Sequence, residues 1–236
     1  MKLSLVTGTR NRPFDFRRLV DSIERHTPMD WELIVSDASD SPIEHETVAT
    51  AETWPKIRVL PERPRLGCTV GYNRAFRETS GDWVIWLNDD CEVESGYATA
   101  AIRFMQDHSE IGLGALYYAD RATGESYHVN HCHWGMLYAN FGVVSRELGN
   151  QVGWFDDELT MYGNDNSLTY RVLLVGKGIA GIPEARVLHH STQDESRREN
   201  NHYDFRQQQA DLLRAKYGPH LPAMRAVYER YRMVAA

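Results

Sequence analysis

Five consecutive apolar residues, Trp83-Val84-Ile85-Trp86-Leu87, give way without a spacer to Asn88-Asp89-Asp90. A run that is apolar at every position suits a strand buried on both faces, as in the middle of a parallel sheet. Such a sheet needs helical crossovers and cover on both sides. The fold class expected is therefore α/β, with a mostly parallel central sheet flanked by helices. The switch to acids falls at the strand's carboxyl end, where open α/β sheets present ligand-binding groups.

The flanking sequence supplies the crossovers. Leu3, Leu5 and Val6 end at Thr7-Gly8-Thr9, and Phe16, Leu19, Val20 and Ile23 then recur at helical spacing. Trp31 to Val35 reads as a second strand breaking into Ser36-Asp37-Ala38-Ser39-Asp40, and Ile57 to Leu60 as a third. A helix is expected from about Thr69 to Thr79, with Gly67 and Gly71 giving backbone freedom, and another from Tyr97 to Asp107. Gly112 to Tyr118 and Tyr127 to Trp134 read as strands. Asn164 or Asp165 can cap a helix with Leu168, Val172 and Val175 on one face. Ile179 to Ile182 and Arg186 to Leu188 are short apolar pieces before His189-His190. Ser191 to Asn201 reads as a loop able to close as a lid, and Phe205 to Tyr217 as a C-terminal helix.

With 236 residues and no segment of linker composition, a single domain over 1–236 is expected. A formal net charge of -7 gives no general attraction to nucleic acid or an anionic membrane and argues against a nucleic-acid partner. Cys68, Cys91 and Cys132 show neither zinc-finger nor disulfide spacing and read as reduced thiols of a cytoplasmic protein. No stretch approaches the roughly 20 apolar residues that span a bilayer. Peripheral association at the inner face of a membrane stays open.

Several residues carry candidate chemistry. Asp89 and Asp90 offer hard oxygen ligands of the kind magnesium or manganese accepts, although a solvated turn would use the same residues. His189 or His190 could add a ring nitrogen. Asp165, at a helix start, is either a favourable partner of the helix dipole or a general base; the dipole should favour its charged form. Asp37 can accept from a base N–H, and Arg10 and Arg12 can meet phosphate. Trp134, Tyr138, Trp154 and Tyr162 are candidate ligand-facing rings, with core packing as the alternative. His128, His131 and His133 alternate, but no fourth ligand near them specifies zinc.

The order of these motifs resembles that of the inverting glycosyltransferase family 2, whose members have the GT-A nucleotide-sugar fold. Val6-Thr7-Gly8-Thr9-Arg10-Asn11-Arg12 and Ile34-Val35-Ser36-Asp37-Ala38-Ser39-Asp40 look like its first strand and nucleotide-binding acidic turn. Leu66 to Ala75, with Asn73, is similar to its glycine and Arg-Asn-rich helix entrance. Asn88-Asp89-Asp90 stands where the family has Asp-any-Asp, with Asn88 in place of the first acid. Gly153-Trp154-Phe155-Asp156-Asp157-Glu158 resembles the approach to the acceptor side, with Asp157 where glutamate is common. Asn164-Asp165-Asn166-Ser167-Leu168 resembles the catalytic motif, with Asn164 and Ser167 replacing acids, and Pro183 to His189 resembles the segment ending in a metal histidine.

The resemblance implies a metal-dependent inverting sugar transfer to an acceptor hydroxyl. Asp165 would be the base; Asp90 and His189 would hold Mn2+ or Mg2+. Thr7, Arg10, Arg12, Asp37, Asn73, Asn88 and Asp89 would bind a UDP-, GDP- or dTDP-sugar, and Asp157 would lie beside the acceptor rings. Residues 1–110 would form the donor half, 111–200 the acceptor-side and catalytic half, and 201–236 a C-terminal helical segment. The acceptor would be a saccharide, a glycolipid or another hydroxyl-bearing molecule. A sugar-phosphate nucleotidyltransferase, or a binding protein inactivated by Asn88, Asn164 and Ser167, are the competing expectations.

Overall fold

A computed structural model describes residues 1–44, 48–195, 198 and 203–232. Strand β1 (Leu3–Thr9) leads into helix α1 (Pro13–His26), whose first turn holds Pro13, where a missing N–H costs nothing. Strands β2 (Trp31–Asp37) and β3 (Ile57–Pro61) follow, then helix α2 (Cys68–Arg77) and strand β4 (Trp83–Trp86). These four strands pair in parallel in the order β3-β2-β1-β4. Alternation along the strands splits the core: Leu3, Leu5 and Ile85 pack with α1, while Val6, Val84 and Trp86 pack with Phe76 of α2.

Beyond β4 the sheet becomes mixed. Strand β5 (Cys91–Val93), helix α3 (Tyr97–Asp107), strands β6 (Ile111–Asp120) and β7 (Glu125–His128), hairpin strands β8 (Asn130–His131) and β9 (Leu137–Tyr138), and strand β10 (Gly142–Ser145) come next. Helices α4 (Arg146–Val152) and α5 (Asn164–Leu174) lead to the long strand β11 (Gly178–His189) and the C-terminal helices α6 (Tyr203–Tyr217) and α7 (Leu221–Tyr231). The sheet continues β4-β10-β6-β11-β5, with β7 on β6. Strand β10 runs antiparallel to both β4 and β6, and β11 is parallel to β6. Two reversals restore direction, so β1, β2, β4, β6 and β11 all end on one edge of the sheet.

Several local expectations differ from the structure. Tyr127 to Trp134 is not one strand: the chain breaks between β7 and β8, and Trp134 sits in a turn with Gly135 at φ 75. The two apolar pieces before His189 are a single β11 with a register shift between Ile182 and Arg186. Val175 is 44% exposed, because α5 ends at Leu174 before that position can face the core. Gly67 adopts φ +88, as expected of a glycine chosen for backbone freedom, whereas at Gly71 a Cβ would collide with Glu62 Oε1, so that glycine serves close approach. Residues 196, 197 and 199–201 of the expected lid lie outside the described residues. No helix among the described residues is long and apolar enough to cross a membrane.

Candidate active site

The shared carboxyl edge gathers the chemistry-bearing loops. The loop after β4 holds Asp89 and Asp90, both buried. Thr9, at the end of neighbouring β1, donates its hydroxyl to Asp89 Oδ2 at 2.8 Å, and Arg12 donates Nη1 to Asp89 Oδ1 at 3.1 Å. Arg12 also reaches across to Asp194, with Nε to Oδ2 at 2.5 Å and Nη2 to Oδ1 at 2.9 Å. Burial pushes the Asp89 carboxyl up to about 7, with Arg12 opposing and Asp90 adding to the rise. Burial would lower the Arg12 guanidinium's pKa, but the hydrogen bond to Asp194 and three nearby carboxylates raise it.

Strand β11 ends beside β6, with His189 opposite Asp120. His189 Nδ1 lies 3.1 Å from Asp120 Oδ2, and Ser191 donates its hydroxyl to the same carboxylate. The other ring nitrogen, Nε2, lies 3.2 Å from Asp90 Oδ1, off the line of a hydrogen bond. Thr192 N–H fixes the second Asp90 oxygen at 3.0 Å. Two donor atoms at such a separation match neighbouring ligands that each sit about 2.1–2.3 Å from a shared cation. The carboxylate oxygen suits magnesium or manganese and the imidazole nitrogen suits a transition metal, so the donor set fits a divalent ion, manganese better than magnesium. Cys91 offers a sulfur in the same cluster, all three ligand atoms lying within 4.8 Å of one another. Burial raises the Cys91 thiol well above its ordinary range. His190 turns the other way, to Glu92 Oε1 at 2.6 Å.

A cleft of about 730 Å3 opens along this edge. Its walls bring together nine of the expected site residues: Arg10, Arg12, Asn88, Asp89, Asp90, Tyr138, Tyr162, Asp165 and His189. Asp165 stands in the first turn of α5, where Gly163 rather than a side chain occupies the cap position. Its Oδ1 accepts the Asn166 N–H at 2.8 Å. The helix dipole does not dominate here. Burial pushes the Asp165 carboxyl up to about 6, against the Asn166 hydrogen bonds, which makes it a stronger base than its position on the helix suggests.

The other expected residues lie elsewhere. Thr7 is fully buried in the sheet, and Asp37, 1% exposed between the cleft-lining Ser36 and Ala38, accepts Ser39 N–H at Oδ1. Asn73 grips the main chain of Phe155, donating to its carbonyl at 2.9 Å and accepting from its N–H at 3.0 Å. Asp157 accepts from Asn73 and is otherwise exposed, outside the cleft. Trp154 is buried and stacks on Phe76 at 4.4 Å, half-buried Trp134 packs on Tyr170 at 5.0 Å, and neither ring lines the cleft. Asp120, Ser191, Thr192 and Asp194 also shape the site, and sequence pattern marks the last three only as parts of a polar loop. Asp120 carried the same signal as Asp89, an acid closing an apolar run.

Buried Asp156 anchors the loop before α5, receiving Tyr217 Oη at 2.8 Å and Lys216 Nζ at 3.0 Å from α6, with Arg171 Nη2 at 3.5 Å. Ser167 is fully buried, accepting from Asp156 N–H at 3.1 Å and donating to the Asn164 carbonyl at 2.6 Å.

Comparison with known proteins agrees with this architecture. The chain is 25% identical over 224 residues to the O-antigen biosynthesis protein RfbC of Myxococcus xanthus, covering 81% of this chain but only 17% of that protein. It resembles a crystal structure of GalNAc-T7 with UDP, GalNAc and Mn2+, at a TM-score of 0.65, 16% identity and 82% coverage of this chain against 44% of the other. It also resembles S. aureus TarS, at a TM-score of 0.63, 15% identity and coverage of 80% against 37%. At those identities the two structures speak for the fold, a GT-A-like one. The sequence pattern described as Glycosyl transferase family 2 matches residues 4–158, from the start of β1 to the loop that carries Asp156. Since that match spans well over half of the chain and includes the acids after β4, the chain belongs to glycosyl transferase family 2.

Proposed function

We propose that the protein transfers a sugar from a nucleotide-sugar donor to an acceptor hydroxyl, with inversion at the anomeric carbon. The observation that carries this reading is one cleft lined by Asp90, His189 and Asp165 together. Asp90 and His189 would hold a divalent cation, with His189 kept in orientation by Asp120. When bound, the cation supplies positive charge that offsets the negative charge growing on the departing diphosphate. Arg10 and Arg12 face the same cleft and suit phosphate oxygens.

Asp165 accepts the proton of the acceptor hydroxyl as its oxygen attacks the anomeric carbon. The new carbon–oxygen bond forms as the bond to the diphosphate breaks. The bonding electrons leave with the nucleotide, and the proton passes from Asp165 to water. Attack in line with the leaving group inverts the centre. The UDP and Mn2+ in the GalNAc-T7 structure make a UDP-sugar with manganese the first donor to try. A saccharide acceptor accords with the O-antigen role of RfbC, although this chain spans 17% of that protein.

Ser167, where the family motif has an acid, is buried support for α5 outside the cleft, so its replacement removes no group from the reaction site. Asn88 and Asn164, the other two replacements, line the cleft, and turnover by the whole chain separates an active enzyme from an inactive binder. The decisive experiment titrates UDP-, GDP- and dTDP-sugars calorimetrically with and without manganese, then follows the anomeric product by NMR. Manganese-dependent binding of one donor and a product of opposite anomeric configuration are expected; retained configuration, or binding indifferent to metal and nucleotide, would overturn the reading.

A further inference from the structure

A second cavity, of about 610 Å3, lies against the first, between the β8–β9 hairpin and helix α6. Tyr138, Tyr162, Gly163, Asn166 and Arg206 line both cavities. Gly163 and Asn166 bracket Asp165 along the chain, so a molecule seated in the second cavity lies beside the carboxylate that would take its proton. The two tyrosine rings at the junction offer flat faces to sugar C–H edges.

The charge of this cavity departs from that of the chain. The protein carries a formal net charge of -7, yet among the described residues no acidic side chain lines the second cavity, and the basic side chains in its lining are His131, His133 and Arg206, all exposed. Arg206 lies over the Tyr162 ring at 5.1 Å, which keeps its guanidinium at the junction. His131 and His133 offer N–H donors in either protonation state. Arg214 adds positive potential at His133. On α6, Asp211 is engaged by Arg214 and by Gln207 Nε2 at 3.1 Å.

We propose that this second cavity is an acceptor site for a saccharide bearing an anionic substituent, a phosphate or a carboxylate, read by Arg206 together with His131 and His133. The proposal deepens the transferase reading and rests on it for the word acceptor. The sugar faces would pack on Tyr138 and Tyr162, and the anion would lie between Arg206 at the junction and the two histidines of the hairpin segment. A planar guanidinium and two imidazoles provide the fork and flanking donors that such oxygens take.

The test is saccharide binding by the whole chain, with methyl glucoside, methyl glucuronide, glucose 6-phosphate and inorganic phosphate as probes, each titrated with and without UDP and manganese. One of the anionic sugars is expected to bind at least about tenfold more tightly than methyl glucoside, a difference of about 1.4 kcal/mol. Arg206→Gln, or His131→Ala with His133→Ala, should remove most of that preference. Which anionic sugar binds tighter distinguishes phosphate from carboxylate. Equal affinity for neutral and anionic sugars overturns the proposal, as does a preference that survives both variants, or inorganic phosphate binding as tightly as the sugar phosphate. Failure of UDP to bind in the same titrations would tell against the donor reading instead, while the comparison without UDP still decides whether the cavity selects anionic sugars.

Discussion

Asp120 holds His189 Nδ1 at 3.1 Å, and this leaves the opposite ring nitrogen facing Asp90 Oδ1 at 3.2 Å. A histidine ring oriented by a carboxylate on one side presents a fixed, more basic nitrogen on the other. Asp120→Asn should therefore weaken manganese binding, read calorimetrically with UDP present, by about 10–100-fold. An unchanged manganese affinity would show that the ring needs no such support.

The two adjacent histidines should behave differently. His189→Ala is expected to abolish measurable manganese binding, whereas His190→Ala, whose ring engages Glu92 Oε1 at 2.6 Å, should leave it within about twofold of the parent. The reverse ranking would refute the geometry.

Asp165 supplies a pH signature. Its carboxyl is pushed up to about 6 by burial, so turnover with saturating donor should fall on the acid side of about pH 6 as the base is protonated. Asp165→Asn should lower kcat by about 100- to 10,000-fold while donor affinity stays nearly constant. A folded-state pKa above the unfolded one means that ionised Asp165 costs stability once pH rises past the unfolded value. The Asn variant should accordingly melt higher than the parent at pH 7.5, with the difference closing near pH 4 and below; a lower melting temperature at pH 7.5 would contradict the burial argument.

Asp156 has the opposite sign. Burial alone would raise its carboxyl, but Lys216 and Tyr217 hold it below the usual range, so its contribution is present above the unfolded pKa and fades as pH falls through the folded one. Asp156→Ala strands Lys216 and Arg171 around a buried gap and should cost about 3 kcal/mol, at the low end for buried pairs because Lys216 is partly solvated. Thermal unfolding at pH 7 should show a loss of roughly 6–12 °C, shrinking toward pH 3.

Asn73 separates support from binding. Its amide makes two hydrogen bonds to the Phe155 main chain, and Asn73→Ala would leave buried groups unmatched at a cost of about 1–3 kcal/mol. UDP affinity of the folded variant is expected to match the parent. A selective loss of UDP binding would return Asn73 to the donor site.

The legible parts of the fold were those carried by local pattern. The Trp83–Leu87 run and the Phe16, Leu19, Val20, Ile23 stripe mark their elements because burial on two faces or one leaves a period in the sequence. Strand β10 leaves none: Gly142–Ser145 is four residues long and is defined by its two partners rather than by its own spacing. Among site residues, acids ending apolar strands were found when they stood in pairs, as Asp89 and Asp90 do. Asp120 was missed because its importance comes from His189, which joins it only through the β6–β11 pairing. Asp37 and Trp154 illustrate the converse. Asp37 accepts Ser39 N–H within its own turn and Trp154 stacks on Phe76 in the core, and sequence pattern alone does not separate such contacts from ligand contacts.

The placement of β10 between β4 and β6 bears on how the protein is made. A chain emerging from the ribosome completes β4 and later β6, but their facing edges stay unpaired until Gly142–Ser145 arrives to bridge them. Until then each edge is a template for stray strand pairing, so the interval of synthesis between Trp86 and Ser145 is one in which a growing chain is exposed to aggregation and served by chaperones.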